Sequence, residues 1–101
     1  MIVVHATVPV DPDRRAEVES LIEEMVARSR EEPGTISYDA AADLESDATI
    51  HFVERYEDEA ALDAHFESDH YEAFATDLGE YLTGRPSVTR YDVESSTELQ
   101  G

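Results

Sequence analysis

The stretch IHFVERYEDEAALDAHFESDHYEAF, residues 50–74, decides the fold. With Thr49 before it, its first part alternates Ile50, Phe52, Glu54 and Tyr56 against Thr49, His51, Val53 and Arg55, which is the period of a strand with large side chains on both faces. Glu57-Asp58 turns the chain, and Asp58 can cap a short helix through about Phe66, with Ala61, Leu62 and either His65 or Phe66 inward. Ser68-Asp69 interrupts that helix. Asp69 with Glu72 three residues on predicts the cap of another, whose inner stripe is Tyr71, Phe74, Ala75, Leu78 and Leu82 before Gly84 and Pro86 stop it. His65 and His70 bracket the break.

Working outward, residues 2–9, IVVHATVP, are short and β-branched and predict a first strand with Ile2, Val4, Ala6 and Val8 on one face and Val3, His5 and Thr7 on the other. Asp11-Pro12 starts a helix of roughly five turns, packed through Val18, Leu21, Ile22, Met25 and Val26 and ended by Pro33-Gly34. Thr35 to Ala42 alternates Ile36, Tyr38 and Ala40 against Ser37, Asp39 and Ala41, and DLESD, residues 43–47, connects this second strand to the third as a hairpin. SVTRYDV, residues 87–93, reads as the last strand. The order β-α-β-β-α(α)-β predicts an α+β, ferredoxin-like domain over residues 1–94 with an antiparallel sheet, and residues 95–101 as a flexible tail. Such a sheet ordinarily leaves one face wet and polar. Here Ile2, Val4 and Val8, and the bulky residues on both faces of the third strand, predict a homodimer through sheet faces.

The composition narrows function. Across 101 residues, 25 Asp and Glu oppose 7 Lys and Arg for a net charge of −18, and all seven basic residues are Arg. That field repels phosphate backbones and anionic lipid, so neither nucleic acid nor a membrane surface is an expected partner. The charge is spread over helices and loops, as expected of a halophilic protein whose self-repulsion is screened when molar salt shrinks the Debye length to about 3 Å. Absence of cysteine excludes disulfides, thiolate metal sites and a Cys nucleophile. With no basic n-region, secretory h-region or long apolar run, the expected location is cytoplasmic.

Glu32-Pro33-Gly34-Thr35 with Tyr38, Val53-Glu54-Arg55-Tyr56, and Ala60-Ala61-Leu62 leading to His65, His70 and Phe74 together resemble the antibiotic biosynthesis monooxygenase (ABM) family, a dimeric α/β-barrel group that includes cofactor-independent quinol monooxygenases. The resemblance spans nearly the whole chain. It implies a buried pocket between sheet and helices, a small aromatic substrate, dioxygen as oxidant, and no cofactor, flavin or metal. A haem-degrading branch of the superfamily uses a histidine on the last helix, where this chain has Phe74, Ala75 and Thr76, none an iron ligand; the branch's strand-one asparagine falls near Thr7, and its strand-three tryptophan is here Tyr56.

The resulting candidates are His65 and His70 as catalytic bases, since imidazole takes up and returns a proton near neutral pH. A phenolic substrate deprotonated by such a base becomes an anion that can pass an electron to dioxygen. Glu54, Tyr56, Tyr38, Thr7, Tyr71 and Phe74 are candidate substrate-binding residues. Glu54 could instead pair with Arg90 or lie at a dimer edge. Metal binding by the histidine pair is not expected, because residues five apart on a continuous helix diverge, so chelation depends on the break, and no third ligand is evident apart from His5, His51 or a carboxylate. A non-catalytic small-molecule-binding or stress-response module, or an isomerase of a small hydroxyketone, are alternatives on the same scaffold. Two physical expectations share one sample: the melting temperature rises between dilute buffer and molar KCl, and light scattering in high salt returns twice the 11.3 kDa chain mass.

Overall fold

Strands and helices appear where side-chain period and capping chemistry place them. The computed structural model describes residues 1–100. It contains β1 (Ile2–Pro9), a 3-10 turn (Pro12–Arg14), α1 (Arg15–Arg30), β2 (Thr35–Ala42), β3 (Thr49–Tyr56), α2 (Glu59–Phe66), α3 (Asp69–Leu78), a second 3-10 turn (Gly79–Tyr81) and β4 (Ser87–Asp92). The strands form one antiparallel sheet in the order β2-β3-β1-β4, and the fold is α+β and ferredoxin-like. Asp11 caps the first turn through the Asp13 N–H, and the α-helix proper begins only at Arg15. Asp58 caps α2 by accepting from the Ala61 N–H at 2.9 Å.

The helices cover one face of the sheet. Ala6, Val8 and Val10 pack with Val18, Ile22 and Met25 of α1 and with Tyr38, Ile50, Phe52 and Leu78 in the larger core cluster; Ile2, Val4, Tyr56, Ala61 and Leu62 form a smaller one. Along β3, Phe52 belongs to the first and Tyr56 to the second, with Glu54 between them.

Several sequence expectations need correction. Ile2, Val4 and Val8 are buried under the chain's own helices, so they carry no argument for a dimer. The open face holds Val3, His5, Thr7, His51, Val53, Arg55 and Tyr91 instead, with Val53 and Tyr91 exposed. Ile36 is exposed because a register shift between Thr35 and Ser37 turns it away from the Tyr38 face. Ser68, not Asp69, caps α3, accepting from the Tyr71 N–H at 3.2 Å. That helix ends at Leu78, and Leu82 lies beyond the 3-10 turn, bridged to Val10. Beyond β4, Glu94 to Gln100 are exposed and outside regular structure; Gly101, the end of the expected tail, lies outside the described residues.

One glycine sets how closely the α1–β2 turn approaches α2. Gly34 has φ +84°, and a Cβ there would stand 2.7 Å from the Ala61 Cβ. The Gly34 carbonyl accepts from the Glu57 N–H at 2.9 Å, fastening the same turn to the end of β3. Gly34→Ala is expected to cost about 1–3 kcal/mol for the left-handed backbone, with more from the displaced helix. Denaturant titration in high salt measures it, and an unchanged midpoint would refute this packing account.

Candidate active site

β3 sends alternate side chains toward the helices, and that alternation places Glu54 inside the molecule. Its residue is 5% exposed, at one wall of a cavity of about 170 Å³ otherwise made of apolar and aromatic groups. Tyr38, Phe52, Tyr71, Phe74 and Leu78 are among them, and Phe66 and Val88, 40% and 60% exposed, stand where the cavity meets solvent. The Tyr56 hydroxyl donates to Glu54 Oε1 at 2.5 Å. Burial pushes the Glu54 carboxyl up to about 7; the Tyr56 hydrogen bond lowers it and the Glu32 charge raises it further. Burial likewise raises Tyr38, Tyr56 and Tyr71, so these phenols stay protonated.

Beside the cavity wall lies a second constellation. Glu32, in the α1–β2 turn, meets His65 Nδ1 at 3.0 Å and His70 Nε2 at 2.5 Å. An ionised carboxylate only accepts, so each imidazole presents an N–H to it. This fixes the His65 tautomer and leaves its Nε2, buried and without a hydrogen-bond partner, as the lone-pair nitrogen. Burial holds His65 below the usual histidine range, outweighing the Glu32 contact that favours its charged form. The His65 ring packs among Tyr38, Tyr56 and Tyr71 at centroid distances of 5.2, 5.6 and 5.2 Å. Ser68 Oγ completes the corner by donating to the His65 carbonyl at 2.6 Å.

Of the candidates drawn from sequence, Glu54, Tyr38, Tyr71 and Phe74 meet at the cavity. His65 stands one side chain behind its wall, since Tyr38, Tyr71 and Phe66 both line the cavity and pack on the imidazole. His70 faces a different cavity, between α1 and α3. Tyr56 is fully buried behind Glu54 and does not line the space. Thr7 is on the opposite face of the sheet, paired with His51 and Ser87, because odd-numbered positions of β1 point away from the helices. Glu54 does not pair with Arg90, whose guanidinium holds Glu59 and Asp92 at 2.9 Å. His5 and His51 stack on the open face at 5.3 Å, with Asp43 2.8 Å from His51 Nε2. Glu32 was not among the expected site residues, although it heads the Glu32-Pro33-Gly34-Thr35 motif.

Known proteins share this arrangement of elements. The model of the family described as antibiotic biosynthesis monooxygenase matches residues 1–77. The chain belongs to the ABM family. YcnE of Bacillus subtilis, provisionally named a monooxygenase, is 32% identical over 93 residues, covering 92% of this chain and 98% of its own. Rv0793 of Mycobacterium tuberculosis, a solved structure, superposes with a TM-score of 0.88 at 30% identity, covering 96% of this chain and 98% of that one. A crystal structure titled antibiotic biosynthesis monooxygenase gives a TM-score of 0.88 at 26% identity, covering 94% and 100%. Among the described residues, no helix is long and apolar enough to cross a membrane.

In this ABM domain Glu54 has a definite thermodynamic signature. Its folded value of about 7 lies above the ordinary 4.5, so the native state binds the proton more tightly than the unfolded chain. The stability from holding that proton is therefore present below the unfolded value and is lost as pH rises from about 4.5 through 7. Glu54→Gln removes the ionisation, and the variant is expected to be more stable than wild type at pH 8, on the order of 2–3 kcal/mol. That advantage shrinks toward pH 5. Melting in high salt at both pH values checks it; a constant difference would remove Glu54 as its source.

Proposed function

We propose that the protein is a cofactor-independent monooxygenase that oxidises a quinol-like or polyphenolic aromatic compound with dioxygen, working as a homodimer through the open sheet face. The observation that carries this reading is a lone carboxylate poised near neutrality in an otherwise apolar, aromatic-walled cavity. An engineered cavity of about 150 Å³ takes one benzene. A space of about 170 Å³ therefore suits a single ring, with any substituents directed past Phe66 and Val88.

Glu54 takes the phenolic proton, and the ring anion passes one electron to dioxygen. The radical pair joins at a ring carbon that bears hydrogen, and the protonated carboxyl returns its proton to the peroxide. Glu54 then removes the ring C–H proton while the O–O bond breaks, leaving a carbonyl. The departing hydroxide regains the proton as water. Substrate supplies all four electrons, so the net change is substrate plus dioxygen to quinone plus water, with no external reductant. A base near pKa 7 suits both directions of proton transfer, and the apolar wall keeps water from the peroxide.

Oxygen-electrode turnover on a panel of quinols in high salt tests the reading. Wild type is expected to consume one dioxygen per quinone formed, and Glu54→Gln to lower kcat by roughly 10²–10⁴-fold, the usual worth of a positioned base. A full rate in the variant would remove Glu54 as the base. Aromatic binding without oxygen uptake would leave a non-catalytic binding module.

A further inference from the structure

The Glu32, His65 and His70 constellation takes no part in the chemistry assigned to the cavity. We propose that it is a binding site for a divalent first-row transition ion such as Zn²⁺ or Fe²⁺. Two imidazoles and a carboxylate bring one ligand atom each to within 4.8 Å of one another. This donor set, with further positions open to water, suits such ions, whereas Mg²⁺ and Ca²⁺ call for an all-oxygen sphere. The three residues come from the α1–β2 turn, the end of α2 and the first turn of α3, so the site exists only in the folded chain.

Two further observations fit an ion. The constellation is nearly dry, with side chains 13%, 1% and 21% exposed for Glu32, His65 and His70, and His70 is the one on the solvent side. His70 also lines a cavity of about 270 Å³ between α1 and α3, whose walls carry the carboxylates of Glu24, Asp69 and Asp77 against one guanidinium, that of Arg28, which is paired with Glu24 at 3.4 Å. In a chain of net charge −18 this makes an entry that concentrates cations and leaves room for water as a remaining ligand. His65 Nε2 has no hydrogen-bond partner, so the hydrogen bonds in place hold that ring through Nδ1 alone. Bonds to the ion of roughly 2.0–2.2 Å require the imidazole protons facing Glu32 to leave. The His65 proton then moves to Nε2, on a ring packed among those of Tyr38, Tyr56 and Tyr71.

The test is titration of the metal-free protein with Zn²⁺ in molar potassium nitrate, where binding to exposed surface carboxylates is screened. One tight site per chain is expected. Co²⁺ at the same site should show the strong visible bands of a four- or five-coordinate centre rather than the weak ones of cobalt on surface carboxylates. Glu32→Gln keeps the shape of its side chain and one accepting oxygen, and His70→Ala leaves the His65 contact to Glu32 in place; circular dichroism in molar salt checks that each variant is folded. Each is expected to weaken the site by more than the roughly 10–100-fold that loss of an outer hydrogen-bond partner costs. Absence of a saturable site in the wild type, six-coordinate cobalt only, or undiminished affinity in both variants would each overturn the proposal. None of these outcomes bears on oxygen turnover at Glu54.

Discussion

Glu32 accepting from two imidazoles is the contact on which the helical wall depends. α2 has eight residues and α3 ten, lengths at which an isolated helix is marginal in water. Each is held by its cap and by what it packs against. For α2 that is Ala61 against Gly34, and His65 on Glu32. For α3 it is the Ser68 cap, and His70 on the same carboxylate. Because Phe66, Tyr71 and Phe74 ride on these two helices, a contact outside the cavity fixes three of the groups lining it. Breaking one partner of a nearly buried, charge-assisted set leaves the others unsatisfied, so the cost exceeds that of the lost bond.

The backbone pattern was largely legible because strand alternation and capping chemistry are local. β3 runs from Thr49 to Tyr56 as its alternation states, and Asp58 caps α2 as its position before an apolar run implies. Where two residues could serve the same local role, the sequence left the choice open: Ser68 and Asp69 can both cap, and the serine does. Ile36 was misplaced because a bulge has no strong residue signature here. The sidedness of β1 was clear, but which side the helices take is a tertiary outcome, and it reversed the reading of Ile2, Val4 and Val8 and moved Thr7 away from the cavity.

Glu32 was harder to single out for a different reason. It is one of 25 acidic residues, follows Glu31, and lies just past a helix rich in glutamate. Its partners lie 33 and 38 positions away. Charge that serves solvation hides charge that serves a site. The one local cue is its place immediately before Pro33-Gly34, where the chain turns back under α2.

Glu32 and Glu54 show two solutions to burying a carboxylate in the same small domain. Glu32 is met by two imidazole N–H groups and by the Thr35 hydroxyl at 3.3 Å, three donors to one carboxylate. Glu54 receives one hydrogen bond, from Tyr56, and faces apolar groups elsewhere, which is why burial dominates its ionisation. A second donor near Glu54 would stabilise the folded charged form and pull the carboxyl back toward its ordinary range. It would also weaken the group as a base, because a carboxylate already satisfied by fixed donors has less reason to take a proton. The poor solvation of Glu54 is thus at once a cost to stability above neutral pH and the property a proton acceptor in this cavity needs. The two carboxylates are suited to separate tasks by the number of donors each is given.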